Sequence, residues 1–171
     1  MSVASSVALV TLIAILLVMG GEALLSRVNE ATLRKLGAIE PPDDVYRTMQ
    51  WAYPCSFVAM AIEGVLQGPA PQPALLAGLA MLGVAKALKL WAISSLGMRW
   101  SFRVLVLPDR PLVMSGPYRF IRHPNYVAVI GELLGFSLIV WAPVTGLLAL
   151  VGFGALMWRR IAIEDRALGR Q

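Results

Sequence analysis

Histidine, cysteine and charge are what this 171-residue chain has least of: one His, one Cys, and charged residues at only 15%. A lone cysteine, Cys55, excludes an internal disulfide and any cysteine-based zinc site. A single histidine, with no HExxH or paired-carboxylate motif, leaves a metal ion without ligands, so no metal is expected. Soluble domains are about half apolar and about a quarter charged. This chain is 58% hydrophobic with a mean hydropathy of +0.71, which points to a membrane.

Long apolar runs are what it has instead. Residues 3–21, 48–67, 73–95 and 143–163 approach or reach the roughly 20 residues needed to cross a bilayer. A fifth run, 125–140, is shorter and carries Glu132; it spans if it begins at Pro124 and ends in Trp141. The expected fold class is therefore all-α: one integral membrane helical bundle over residues 1–171, of about five transmembrane helices. A long cytosolic loop, about 96–123, joins spans three and four. The first run has no Lys or Arg before it and several after it, which reads as a retained span rather than a signal peptide.

Charge placement gives orientation. With the N-terminus outside, one inner segment holds Arg27, Arg34, Lys35 and Arg47. The next holds Lys86, Lys89, Arg99, Arg103, Arg110, Arg119 and Arg122, and the last holds Arg159, Arg160, Arg166 and Arg170. These are all 15 basic residues, and the outer turns 68–72 and 142–143 hold none. The positive-inside rule then places the C-terminus in the cytosol and the chain in the inner (cytoplasmic) membrane. The basic excess is accounted for by topology and anionic headgroups. Without a basic helix or a stacking-aromatic module, nucleic acid is not an expected partner; membrane lipids are.

Between the spans, residues 27–36 mix Val28, Leu33 and Leu36 with charges and read as a short interfacial helix. Asp43 or Asp44, after Pro41-Pro42, can cap the second span. Within the long loop, residues 104–107 form a short apolar run, extended or dipping back to the membrane as a lid. Loops of that length are usually functional or mobile.

One segment concentrates the chemistry. Gly116-Pro117-Tyr118-Arg119-Phe120-Ile121-Arg122-His123-Pro124-Asn125-Tyr126 contains the only histidine and opens an apolar helix with Glu132 about two turns in. Polar groups at membrane depth are costly and tend to be functional. Singly, each has an ordinary explanation: Pro124 as a helix start, Tyr118 and Tyr126 as interfacial anchors, Glu132 paired only for satisfaction. Arg160 and Glu164, four apart on one helix face, would by themselves be a solvated ion pair. Together they suggest a site.

These residues, with Leu112-Val113-Met114-Ser115 before them and Arg160-Ile161-Ala162-Ile163-Glu164-Asp165 after them, resemble the isoprenylcysteine carboxyl methyltransferase family. That family sits among the membrane phospholipid methyltransferases, and the resemblance, over about residues 96–168, is to its short bacterial members. It implies S-adenosylmethionine as cofactor and a lipophilic acceptor. It implies that His123, Pro124, Asn125 and Tyr126 line the cofactor pocket, with Tyr118 and the segment Arg110, Pro111, Leu112, Val113. It further implies that Glu164 contacts the cofactor, that Arg160 faces the acceptor, and that Arg103 touches the cofactor. The second acid of the family's pair is Asp165 here.

Physical chemistry is compatible with those roles. Methyl transfer from a sulfonium is an in-line displacement that needs positioning more than a metal. An arginine holds a carboxylate bidentately. A carboxylate acceptor needs no base; a phenol or enol would, and His123 and Glu132 are the buried candidates. O-methylation of an isoprenoid or long-chain carboxylate, enol or phenol is the first reading, with Arg160 and Glu132 as catalytic candidates. Phosphatidylethanolamine N-methylation is the second. A non-catalytic membrane carrier or assembly subunit, using Glu63 and Glu132 as intramembrane polar groups, is the third.

Overall fold

The computed structural model describes residues 2–42, 44–108, 110–167 and 169. Asp43, one of the two cap candidates, and the C-terminal Arg170 and Gln171 lie outside the described residues. Five helices follow in order: α1 (Val3–Lys35), α2 (Tyr46–Gln67), α3 (Gln72–Leu96), α4 (Pro124–Val140) and α5 (Pro143–Ala167). Each begins or ends on residues suited to it. Ser2 accepts the Ser5 N–H at the start of α1. Pro73, Pro124 and Pro143 sit in first turns, where a missing N–H costs nothing.

The chain is an all-helical membrane protein. Among the described residues, three helices are long and apolar enough to cross a bilayer: α1, α3 with its short extension to Arg99, and α5. α4 is apolar but has 17 residues, about 26 Å of helix against a hydrocarbon core of about 30 Å. α2 is long enough at 22 residues, but Arg47, Gln50, Glu63 and Gln67 dilute its apolar character.

Two expectations are corrected. Residues 27–36 are not a separate interfacial helix, because α1 runs unbroken for 33 residues to Lys35, about 50 Å. Glu22, Ser26, Asn29 and Leu33 recur at helical spacing and are all buried. That stripe packs on the long loop: Asn29 donates to the carbonyls of Trp100 (2.8 Å) and Gly97 (3.3 Å), and the Ser26 hydroxyl accepts the Phe102 N–H at 2.7 Å. Partnered polar groups continue the helix in place of lipid contact. The second correction concerns Lys86 and Lys89, counted above among inner-segment charges. Both lie within α3 and pair inside the bundle with Glu22 and Glu132. They carry no topological vote.

α3 and α4 pack as an antiparallel pair through small residues. Gly131 and Gly135, one turn apart, face Ala85, Leu82 and Gly78. A Cβ on Gly135 would meet the Leu82 backbone nitrogen at 2.8 Å, so only glycine allows this approach. Beside this seam lies the apolar core, with Phe57, Met60, Leu133, Phe136 and Ile139 essentially inaccessible. Phe57 stacks edge-on with both Tyr53 (5.0 Å) and Phe136 (5.1 Å).

At the other end of the bundle Trp141 takes a left-handed conformation (φ 55°) and Glu63 accepts the Val144 and Thr145 N–H groups (3.1 and 2.7 Å). Glu63 is thus a cap for α5, placing negative charge at a helix N-terminus.

The long loop is held extended rather than free. Val106 and Ile39 form an antiparallel bridge, with N–O distances of 2.9 and 3.0 Å. This joins the 36–45 connection to the 96–123 connection across one end of the bundle. Gly97–Arg99 and Gly116–Arg119 form 3₁₀ turns at its two ends. Gly116 has φ +59° and a Cβ there would collide with the Ser95 hydroxyl, so the turn requires glycine.

Candidate functional site

Two cavities lie where the long loop meets the helix ends it joins. The first, about 290 Å³, is walled by α1, α2, α5, Lys89 and Leu96 of α3, the start of α4 and residues 99–106 of the loop. The second, about 480 Å³, lies between the loop, Leu33 and the end of α5. Leu96, Arg99, Leu105, Val106, Tyr118, Arg122 and Glu164 line both, so one wall separates them.

His123, Asn125, Tyr126, Arg103, Arg160, Glu164 and Tyr118 all line the first cavity. Arg110, Leu112 and Val113, with Tyr118 and Glu164, line the second. The residues of the sequence motif are therefore distributed over two adjoining chambers that share Tyr118 and Glu164. Pro124 is buried at the helix start and lines neither chamber.

Arg160 and Glu164 do not pair directly. Arg160 Nε donates to the Tyr126 hydroxyl (2.9 Å), which donates onward to Glu164 Oε2 (2.8 Å). The rest of the Arg160 guanidinium is also engaged: it donates to the Phe102 carbonyl and lies 3.4 Å from Asp44 Oδ1. Asp44 in turn accepts the N–H groups of Tyr46 and Val104, both at 3.2 Å. The cap role expected at this corner is thus part of a wider hub joining α2, the loop and α5. Each of the three Arg160 guanidinium nitrogens thus has a protein partner, so an acceptor carboxylate would have to share the group with them.

His123 stands between two acids, with Nδ1 3.7 Å from Glu164 and Nε2 3.3 Å from Asp165. Its ring lies against Tyr126, centroids 5.5 Å apart. Burial, reinforced by the Glu164 carboxylate, pushes the Tyr118 hydroxyl well up, so it remains a neutral donor at the wall between the chambers. Arg103 donates to Glu40 at 2.6 Å, lies 3.4 Å from Glu30 and stacks over the Tyr46 ring at 4.5 Å. Burial opposes ionisation of Glu40, but hydrogen bonds from Arg103 and Arg34 hold its carboxyl below the usual range. Arg103 thereby fixes the loop as well as lining the cavity.

Glu132 is elsewhere. It is fully buried, lines neither chamber, and accepts from the Tyr53 hydroxyl while pairing with Lys86 (3.1 Å) and Lys89 (3.3 Å). Sequence reading missed the other half of this cluster, Lys86 and Lys89, by treating them as loop charges. Their spacing one turn apart inside an apolar helix was the available signal.

The geometry defines a membrane-embedded helical protein with a polar, loop-covered site at one end of its bundle. The sequence model of the isoprenylcysteine carboxyl methyltransferase family matches residues 78–170, more than half of the chain, and the chain belongs to that family of membrane methyltransferases. It is also similar to a Bacillus subtilis (strain 168) protein named "Uncharacterized protein YpbQ", 35% identical over 158 residues, 92% of this chain and 94% of the relative. A Haemophilus influenzae relative, named only "Uncharacterized protein", is 29% identical over 141 residues, 82% of each chain. No solved structure matches.

Proposed function

We propose that this protein transfers a methyl group from S-adenosylmethionine to an oxygen of a lipophilic acceptor: an isoprenoid or long-chain carboxylate, enol or phenol. The observation that carries the reading is the pair of adjoining chambers sharing Tyr118 and Glu164. The residues expected to hold the cofactor span both chambers, and the apolar part of the first is left for an oily acceptor, so the two would meet at the shared wall. Volumes of about 290 and 480 Å³ are of the order of small-molecule sites, about 300–1,000 Å³. The residues suit the cofactor as well. Asn125 Oδ1 is buried with no hydrogen-bond partner among the described residues, an acceptor aimed at a donor such as an amino group. The Glu164 carboxylate complements a cation.

When bound, S-adenosylmethionine supplies a methyl carried on a sulfonium. Glu164, His123, Asn125, Tyr126 and Tyr118 would hold it, with Arg110, Leu112 and Val113 along the second chamber. The Arg160–Tyr126–Glu164 chain fixes the Glu164 carboxylate in one orientation, so its rotamer is set before the ligand arrives. Apolar groups Met19, Val129 and Phe153 in the first chamber suit the acceptor's hydrocarbon and exclude water from the displacement.

S-adenosylhomocysteine is expected to bind the detergent-solubilised protein and, at 100-fold over its dissociation constant, to stabilise it by about 2.7 kcal/mol. Glu164→Gln should weaken that binding directly. Thermal shift and calorimetry at millimolar ligand test both; no binding by the native protein removes the methyltransferase reading.

The N-out, C-in orientation with five spans in the cytoplasmic membrane belongs to the same proposal. It is supported by the basic residues of the connections and of the end of α5. Reporter fusions after Gly68 and after Gln171 should report periplasm and cytosol respectively, and the reverse pattern overturns the orientation.

A further inference from the structure

Four charges and a phenol meet inside the bundle, from four helices: Glu22 on α1, Tyr53 on α2, Lys86 and Lys89 on α3, and Glu132 on α4. Lys89 Nζ lies 2.7 Å from Glu22 and 3.3 Å from Glu132; Lys86 Nζ lies 3.3 Å and 3.1 Å from the same two acids. Two acids and two lysines cancel, so the cluster is neutral as a whole. Replacing such a group by packed apolar residues would usually be neutral or stabilising. A purely structural role is therefore a weak account of four charges at membrane depth.

Position supplies a stronger one. Glu22, Tyr53 and Lys89 line the first chamber. Arg160, the cation expected to receive the acceptor, is occupied by Tyr126, Asp44 and Phe102. Arg103 is occupied by Glu40 and Glu30. Lys89 Nζ meets Glu22 (2.7 Å) and both carboxylate oxygens of Glu132 (3.3 and 3.5 Å), so the donor that serves Glu22 is the one an anion in the chamber takes over once Glu22 is protonated.

We propose that Lys89 and Glu22 activate the acceptor, a role resting on the methyltransferase reading above. A neutral acceptor O–H gives its proton to a Glu22 carboxylate oxygen, and the Lys89 ammonium holds the oxygen anion that remains. The oxygen lone pair forms the new O–CH₃ bond as the carbon–sulfur bond of the sulfonium breaks, its electron pair staying on sulfur. Lys86, 20% exposed and 3.3 Å from Glu22, links the protonated acid to the outside of the bundle. Tyr53 and Glu132 hold Lys89 in place. The acceptor class is thus an amphiphile with an ionisable hydroxyl rather than an amine, which has no use for a held anion.

The test uses 4-dodecyl-2-nitrophenol, whose phenolate absorbs visibly, titrated in detergent with and without the protein. Bound to the native chain, its ionisation constant should rise about tenfold or more, as for an acid brought within about 4–6 Å of a cation. Lys89→Met should abolish that rise while S-adenosylhomocysteine still binds. Because Lys89→Met leaves an acid uncompensated, the neutral double variant Glu22→Gln/Lys89→Met, which keeps the Lys86–Glu132 pair, serves as a second arm with the same expected result. No rise with the native chain, or an undiminished rise in the double variant, overturns the inference. Loss of S-adenosylhomocysteine binding by the native protein instead overturns the underlying methyltransferase reading.

Discussion

Arg160→Ala is expected to destabilise the protein by about 3–5 kcal/mol, the cost typical of leaving one partner of a buried ion pair uncompensated. The side chains of Arg160 and Asp44 are 7% and 5% exposed, so little solvent screens the remaining carboxylate. The substitution also removes donors from the Phe102 carbonyl and the Tyr126 hydroxyl, loosening the loop from α5 at once. Arg160→Lys should recover only part of the loss, because one ammonium cannot reach three partners arranged around a planar fork. Denaturant unfolding in detergent reads the stability. A loss below about 1 kcal/mol would show that Arg160 is an ordinary surface cation. Cofactor-product affinity of the folded fraction gives a second contrast: Arg160→Ala acts on Glu164 only through Tyr126, whereas Glu164→Gln removes the contact itself.

The second large effect is expected at the α3/α4 seam. Gly135→Ala would put a Cβ 2.8 Å from the Leu82 nitrogen, 3.0 Å from the Gly78 carbonyl oxygen and 3.1 Å from the Leu82 Cα. All three are backbone atoms, so no rotamer relieves the clash and the helices must move apart. Overpacking of this kind costs about 1–3 kcal/mol, and Gly135→Leu should cost more. The consequence is functional too, since α3 carries Lys89 and α4 carries Glu132 and the start of the site. Unfolding midpoint and S-adenosylhomocysteine affinity should both fall for Gly135→Ala. Gly152→Ala, where nothing lies within 4 Å of the new Cβ, is the matched control and should be near neutral. Equal effects at the two positions would remove the close-packing argument.

The helical class was legible because apolar length is a local property of a sequence: the runs at 3–21, 73–95 and 143–163 fall inside α1, α3 and α5. The long loop and its motif were legible for the same reason, since glycine, proline and clustered polar residues mark the backbone directly. What the motif's residues contact was not. Arg160 and Glu164 share a helix face, and that spacing suggested a pair; Tyr126, 34 residues earlier, separates them by accepting from one and donating to the other. The continuation of α1 through residues 22–33 was hidden as well, because Ser26 and Asn29 look like surface residues until their partners in the loop are known.

By itself, then, the sequence determined that this is a membrane helical protein with one polar segment and no metal-binding pattern, since composition and run length act without reference to the rest of the chain. Only the tertiary structure decided which charges meet. Lys86 and Lys89 stand out only by sitting one turn apart inside an apolar run, and nothing in the sequence names Glu22 and Glu132 as their partners. In an apolar interior a charge must find its opposite, and which one it finds depends on how α1, α3 and α4 cross rather than on any residue's neighbours in the chain.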